Sequence, residues 1–149
     1  MDTIKNKKLF TLLSCYYAFE CKLRCYHWNV EGSNFVEYHK YFEDLYDVTA
    51  KEIDTIAEQI RKLGERVPAT LNNFASTAND VNFDTKNSAE KDQDMIACIL
   101  ASSKELLKII KDLKLELDGQ YEYMGMCVML DELMTNCEKN IWFLTSLNK

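Results

Sequence analysis

Proline and glycine are scarce in this chain of 149 residues, which has one proline and four glycines. A disordered chain or a loop-rich β fold would need more of both, so these classes are disfavoured. Apolar residues make up 47% of the sequence, which is enough for a substantial buried core. We therefore expect one all-α domain spanning residues 1–149.

Long apolar runs and an excess of basic residues are also missing. No run reaches the length needed to span a membrane, so no membrane partner is expected. The first segment has an apolar stripe at helical spacing, formed by Leu9, Leu13, Tyr16, Phe19 or Glu20, Leu23, Tyr26 and Val30. This stripe continues past the LLSC sequence at residues 12–15, which argues against a cleaved signal peptide. With a formal charge of −6, the chain repels phosphate backbones despite the basic cluster Lys5, Lys7 and Lys8, so we expect DNA binding to be weak at most.

The cysteines form no C-x-x-C pair and lie in apolar helical segments, at positions 15, 21, 25, 98, 127 and 137. Disulfides are typical of secreted proteins, so this distribution favours buried thiols in a reducing cytoplasm. Cys21, Cys25 and His27 would supply three zinc ligands, but no fourth ligand follows at the spacing of a zinc finger. Buried packing is therefore the favoured role of the thiols.

Four long helices are predicted from apolar periodicity and from the residues that begin and end helices. Three glycines follow periodic segments: Gly32, Gly64 and Gly119. Two asparagines, each with a glutamate three residues later, resemble capping boxes: Asn34 and Asn87. The predicted helices span residues 4–31, 35–63, 88–117 and 121–147. Very short turns within each half predict two antiparallel helical hairpins.

The connection between the hairpins covers residues 64–87 and is long enough to run the length of the bundle. A structureless loop of this length is unusual, so we expect a short helix near residues 71–75. A four-helix bundle with one long crossover is the architecture of ferritin-like bundles.

Both histidines, His27 and His39, flank the turn at Gly32. On a helical wheel of the second helix, the apolar stripe consists of Phe42, Leu45, Tyr46, Ile53, Ile56, Ile60 and Leu63. One face beside this stripe carries His39, Glu43, Asp47, Asp54 and Glu58. Imidazole and carboxylate groups form a ligand set suited to Fe(II) and related metals. Spacing alone leaves open a plainer explanation, in which one histidine caps a helix, the other is a polar edge residue and the acidic row is a solvated face.

The length of the second helix limits how these residues can form one site. Asp54 follows His39 by fifteen residues, which is about 22 Å along a straight helix. Metal ligands lie within about 2 Å of the ion. A site containing both groups therefore needs carboxylates from a second subunit packed antiparallel, as in a two-fold dimer.

The segment HWNVEGSNFVEYHKYFEDLYDVTAKEIDTIAEQIRKLG, residues 27–64, closely resembles the Dps family of mini-ferritins, the DNA-binding proteins from starved cells. The shared pattern is His-Trp-Asn, a glycine turn, a second histidine twelve residues after the first, Asp-x-x-x-Glu and a closing Leu-Gly. The segment CEKNIWFL at residues 137–144 resembles the family's closing motif. The rest of the chain resembles the family more weakly.

This resemblance implies a ferritin-like hollow dodecamer built from two-fold dimers. Two-iron ferroxidase centres would be shared between subunits, with His27 and His39 from one chain and Asp54 and Glu58 from the other. Fe(II) would be oxidised, preferably by hydrogen peroxide, and ferric mineral would be stored in the cavity. Glu58 would bridge the two irons while the other three residues hold them.

Three further positions follow from the same resemblance. Glu43 stands where many members have aspartate and would reach the metal directly or through water. Trp28 resembles the residue thought to trap stray oxidising equivalents, although packing would explain it equally well. Val128 stands where an acidic residue usually lines the pore that admits iron, and Asp118, Glu122 or Asp131 would have to supply that charge.

Two other classes of protein share parts of this pattern. A di-iron oxygenase is disfavoured because the Glu-x-x-His pairs expected within one bundle are absent. A non-enzymatic helical assembly protein, either DNA-compacting or structural, with a vestigial metal site is the alternative.

Overall fold

The structure is a computed structural model that describes the backbone from residue 3 to residue 149 and the side chains from residue 6 onward. Lys5, part of the basic cluster, therefore has its side chain outside the described residues. The helices are α1 (Thr3–Asn29), α2 (Phe35–Lys62), α3 (Leu71–Asp80), α4 (Asp92–Leu117) and α5 (Met124–Leu147). A 3-10 turn, Tyr121–Tyr123, precedes α5. The described residues contain no strand, which confirms the all-α prediction.

The helices pair as the short turns predict. α1 packs against α2, and α4 packs against α5, so each half of the chain is an antiparallel hairpin. The crossover between the hairpins carries α3, which packs against α1 and extends to residue 80, five residues beyond the predicted end. The prediction of a four-helix bundle with a helical crossover is confirmed.

Glycine ends the helices where the sequence indicated. Gly32, Gly64 and Gly119 have φ angles of +122°, +91° and +80°, in a region that L side chains rarely adopt. Asn34 is the residue before α2, as predicted, but its side chain makes no capping hydrogen bond. Instead, its carbonyl accepts the first helical bond, from the amide of Tyr38.

The predicted helix start at Asn87 is wrong, because α4 begins at Asp92 with Lys91 as the preceding residue. Asn87 itself has a φ angle of +50°. The segment before α4 is held by tertiary contacts, since Phe83 is buried in the core and the Asp84 carboxylate accepts a 2.6 Å hydrogen bond from the Lys22 ammonium. These contacts hold the segment away from a helical path and delay the helix by one turn.

The core is formed by the apolar stripes of the long helices. The stripe predicted for the first helix is buried along α1 and at Val30, the residue just after it: Leu9, Leu13, Tyr16, Phe19, Leu23, Tyr26 and Val30. On α2, four residues of the predicted stripe are buried: Phe42, Leu45, Ile56 and Ile60. The other three are half-buried: Tyr46, Ile53 and Leu63. The same packing that buries these stripes sets the α1–α2 turn and thereby the positions of the two histidines.

The six thiols are all free, but they are not all buried. Cys15 and Cys137 lie in the core, where burial raises the pKa of each thiol to about 12. Cys25, Cys98 and Cys127 are half-buried. Cys21 is exposed, so the prediction of a buried thiol is wrong at this position because its side of α1 faces outward beside α3.

Candidate metal centre

The turn at Gly32 brings the two histidines face to face. The imidazole rings of His27, near the end of α1, and His39, in the first turns of α2, are stacked with centroids 3.8 Å apart and planes inclined by 18°. His27 is 7% exposed and His39 is half-buried. The sequence placed both residues beside one turn, and the structure brings their rings into direct contact.

A reciprocal pair of hydrogen bonds fixes both rings. Nδ1 of His27 lies 2.7 Å from the backbone carbonyl of His39, and Nδ1 of His39 lies 2.7 Å from the carbonyl of His27. A carbonyl oxygen only accepts, so each Nδ1 must carry the proton. In the neutral rings this leaves both Nε2 atoms with a free lone pair, the form in which imidazole binds a metal.

Both candidate carboxylates lie on α2 but far from the histidines of the same chain. Asp54 and Glu58 are exposed and occupy adjacent turns of the continuous helix. Neither has an ion-pair partner among the described residues. Fifteen residues of unbroken helix separate Asp54 from His39, which corresponds to about 22 Å.

A single chain therefore does not bring the four residues together. Within the part of the chain that the structure describes, no group of three or more His, Cys, Asp or Glu side chains could hold a metal ion. The histidine pair and the carboxylate pair are two separate halves on one α1–α2 hairpin.

Glu43 lies one turn after His39, on the histidine side of the helix. Its carboxylate is 3.3 Å from the Lys40 ammonium, which also pairs with Asp44 at 2.9 Å. Hydrogen bonds to Asp44 and then to Glu43 raise the pKa of Lys40. Glu43 is thus near the histidines and held by an exposed cation in the single chain.

Trp28 follows His27 directly and is 69% exposed. It is therefore not packed in the core of its own chain, so packing within one bundle does not explain an aromatic residue at this position. Its neighbour His27 points inward, so the two adjacent residues present an imidazole to the turn and an indole to the surface.

Val128, which the family resemblance predicts at the iron-entry pore, is an apolar side chain at the surface and is 58% exposed. Of the acidic residues nearby, Asp131 is paired with Lys114. Asp118 and Glu122 are exposed. Asp131 is thus the least available of the three to supply negative charge there.

The sequence did not single out three residues of the α1–α2 hairpin: two beside His27 and one buried carboxyl group elsewhere on α2. Tyr46 was assigned to the apolar stripe, but its ring contacts His27. Arg24, in the first helix, lies over the Tyr46 ring. Glu52 is buried at 9% exposure, and burial raises the pKa of its carboxyl to about 7. A helical wheel places Glu52 at the edge of the stripe opposite the acidic row, and that position could have identified it.

No helix within the described range is both long and apolar enough to cross a lipid bilayer.

Comparison with known proteins identifies the family of this chain. The family profile described as Ferritin-like domain matches residues 6–149. The chain is 31% identical over 126 residues to the DNA protection during starvation protein of Brevibacillus brevis, covering 83% of this chain and 80% of that one. It is also 31% identical over 123 residues to the protein of the same name from Helicobacter pylori, covering 83% of each.

The fold is similar to solved structures over its whole length. A Dps protein from Vibrio cholerae, described as a member of a broad superfamily of ferritin-like diiron-carboxylate proteins, matches with a TM-score of 0.88 and 26% identity, covering 100% of this chain and 94% of that chain. The Dps protein of Bacillus brevis matches with a TM-score of 0.89 and 24% identity, covering 100% of both chains. The chain therefore belongs to the ferritin-like family, among the DNA protection during starvation (Dps) proteins.

Proposed function

We propose that the protein is a ferroxidase and iron-storage shell that protects the cell from peroxide. Fe(II) is its substrate, hydrogen peroxide is the preferred oxidant, and the ferric product is stored as mineral inside a dodecamer in a reducing cytoplasm. The proposal rests on the membership of the Dps family and on the arrangement of ligands along the α1–α2 hairpin.

The observation that carries the proposal is the separation of two well-formed half-sites. One half is the histidine pair, in which both Nδ1 protons are engaged and both Nε2 lone pairs are free. The other half is the exposed pair Asp54 and Glu58, which lie on adjacent turns of α2 and have no ion-pair partner among the described residues. A two-fold axis that sets two α2 helices antiparallel would bring each half against the other and create two equivalent sites.

The donor set fits Fe(II) as a substrate. Two imidazole nitrogens and two carboxylates suit first-row divalent metals and leave positions open for an oxidant. Glu58 would be shared by the two irons, and Asp54 and the two histidines would be their other ligands. Glu43 would add a further ligand once its carboxylate leaves Lys40. Two Fe(II) ions supply both electrons that reduce one peroxide to two waters, with uptake of two protons, so no hydroxyl radical is released.

Trp28 would serve as a reserve of reducing equivalents beside this site. The indole follows His27 in the sequence and is exposed in the single chain, so a partner subunit would cover it in the assembly. An aromatic side chain at that position can donate an electron to an oxidant that escapes the two-iron reaction.

Several apolar side chains at the surface support assembly. Trp28, Leu71 and Trp142 are 69%, 73% and 66% exposed. The Trp142 ring contacts the ring of Phe143, which is 40% exposed, and contiguous exposed apolar surface marks a site where another protein packs. Trp142 and Phe143 also line a groove of about 460 Å³ between α2 and α5. These surfaces would be buried between the subunits of a dodecamer.

We propose that any protection of DNA is indirect. The formal charge of −6 per chain opposes binding to phosphate, and a shell would repeat that charge on every subunit. Removal of Fe(II) and peroxide together would protect DNA without contact.

The experiment that tests the function loads the assembled protein anaerobically with Fe(II), adds peroxide and follows ferric absorbance, while light scattering gives the mass of the assembly. We expect oxidation faster than in buffer, by a dodecamer. His27→Ala should abolish the acceleration, and Asp112→Asn, which removes an exposed carboxylate of α4 outside the proposed site, should not. An assembly that oxidises Fe(II) no faster than buffer would instead support a purely structural or DNA-compacting role.

A further inference from the structure

The contacts around His27 extend beyond the metal ligands. Tyr46 lies on α2 two turns after His39, and its ring meets the His27 ring edge to face, with centroids 5.2 Å apart and planes inclined by 81°. His27 is therefore enclosed on two sides, by the stacked ring of His39 on one and by Tyr46 on another.

Tyr46 is itself held by a cation on the neighbouring helix. The guanidinium carbon of Arg24 lies 4.1 Å from the centroid of the Tyr46 ring. Nε of Arg24 donates a 2.9 Å hydrogen bond to Glu20, one turn earlier on α1. The chain of contacts thus runs from Glu20 through Arg24 and Tyr46 to the imidazole of His27.

These contacts constrain the ring in a way that the backbone bonds alone do not. The hydrogen bond at Nδ1 fixes one point of the His27 ring. Small rotations about the Cβ–Cγ bond and the tilt of the ring plane are left to be set by packing. Stacking on His39 supports the ring from one side only and leaves a second side without a wall. Tyr46, clamped by Arg24, supplies that wall and so fixes the direction of the Nε2 lone pair.

We propose that Tyr46 and Arg24 are positioning residues for the histidine half of the metal centre. Tyr46 orients the His27 ring directly, and Arg24 acts through Tyr46. The inference rests on the proposed function, because it assigns the two residues to the same Fe(II) site. Neither touches the substrate.

The test uses Co(II) as a probe in the assembled, iron-free protein under anaerobic conditions. Calorimetry gives the affinity, and the visible absorption of Co(II) reports the coordination geometry without any turnover. Tyr46→Leu keeps an apolar side chain but removes the ring, and we expect it to weaken Co(II) binding about tenfold and to change the spectrum. Tyr46→Phe keeps the ring and should restore both the affinity and the spectrum of the unsubstituted protein.

Arg24→Met removes the clamp and should weaken binding by about threefold, a smaller loss because the ring of Tyr46 remains. In the Tyr46→Leu background the same change should have no further effect, because Arg24 acts only through the ring. Arg24 is half-buried, with its side chain 38% exposed, so this variant remains informative if Tyr46→Leu does not fold.

The matched control is Tyr41→Leu, at another half-buried tyrosine of α2 whose ring packs on Phe42. It should change the melting temperature without changing Co(II) affinity. Unaltered affinity and spectrum in Tyr46→Leu, or an equal loss in Tyr41→Leu, would overturn the inference and leave the proposed function standing. Failure of the unsubstituted protein to bind Co(II) would overturn the proposed function itself.

Discussion

The buried carboxyl group of Glu52 makes the stability of this bundle depend on pH. Glu52 lies on α2 on the side that faces α5, is 9% exposed, and its Oε2 atom has no hydrogen-bond partner among the described residues. Burial raises its pKa from 4.5 to about 7, although a hydrogen bond with Asn136 partly opposes this increase. Burial outweighs the hydrogen bond, so the folded protein favours the protonated form.

The direction of the effect follows from proton binding. Between pH 4.5 and about pH 7 the folded state holds a proton at Glu52 that the unfolded chain has released. The free energy of unfolding therefore falls as the pH rises through this window, and the loss is complete above it. The difference between the two pKa values corresponds to about 3 kcal/mol at pH 8.

Glu52→Gln removes the ionisable group while keeping the size and a hydrogen-bonding amide. We expect the variant to match the unsubstituted protein near pH 4 and to exceed its free energy of unfolding by up to about 3 kcal/mol near pH 8. Urea unfolding of the iron-free protein, followed by circular dichroism at a series of pH values, measures this difference. Glu90→Gln, at an exposed carboxylate, controls for the change in charge. A difference that does not vary with pH would refute the reasoning.

Other features of the chain give further predictions. Asp84→Ala leaves the buried Lys22 ammonium unpaired and should lower the free energy of unfolding by about 2 kcal/mol. This loss is smaller than for a fully buried ion pair because water reaches Asp84. Lys22→Met should change it by less than about 1 kcal/mol in the same urea assay, and equal effects of the two changes would contradict this account. Gly119→Ala, at a φ angle of +80°, should cost about 1 kcal/mol, whereas Gly119→Asn should cost less, as thermal unfolding can show. In a gel-shift assay at low salt we expect weak DNA binding, and tight binding would disprove the electrostatic argument.

The helices were predictable because their signals are local. Apolar residues repeat at helical spacing, and glycines occupy the positions with positive φ that end α1, α2 and α4. The start of α4 was not predictable from Asn87 and Glu90, since the preceding segment is held by Phe83 in the core and by the bond between Asp84 and Lys22. That bond joins residues 62 positions apart, and nothing in the sequence around either residue predicts it.

The candidate site divides in the same way. Spacing predicted that His27 and His39 would meet at the turn, and helix length predicted that Asp54 would lie far from them. The reciprocal hydrogen bonds between each Nδ1 and the opposite carbonyl depend on the exact approach of α1 to α2, which only the packed structure gives. Tyr46 was predicted as a core residue because periodicity reports burial and does not report which ring a side chain touches.

The proposal that each site is shared between two subunits can be tested directly by mixing two inactive variants. His27→Ala and Asp54→Ala damage opposite halves, so a mixed dimer regains one intact site out of two when the halves come from different chains. Random co-assembly of equal amounts should therefore restore about a quarter of the sites, as measured by peroxide-driven Fe(II) oxidation. Co-assembled variants that stay as inactive as either parent would contradict a shared site.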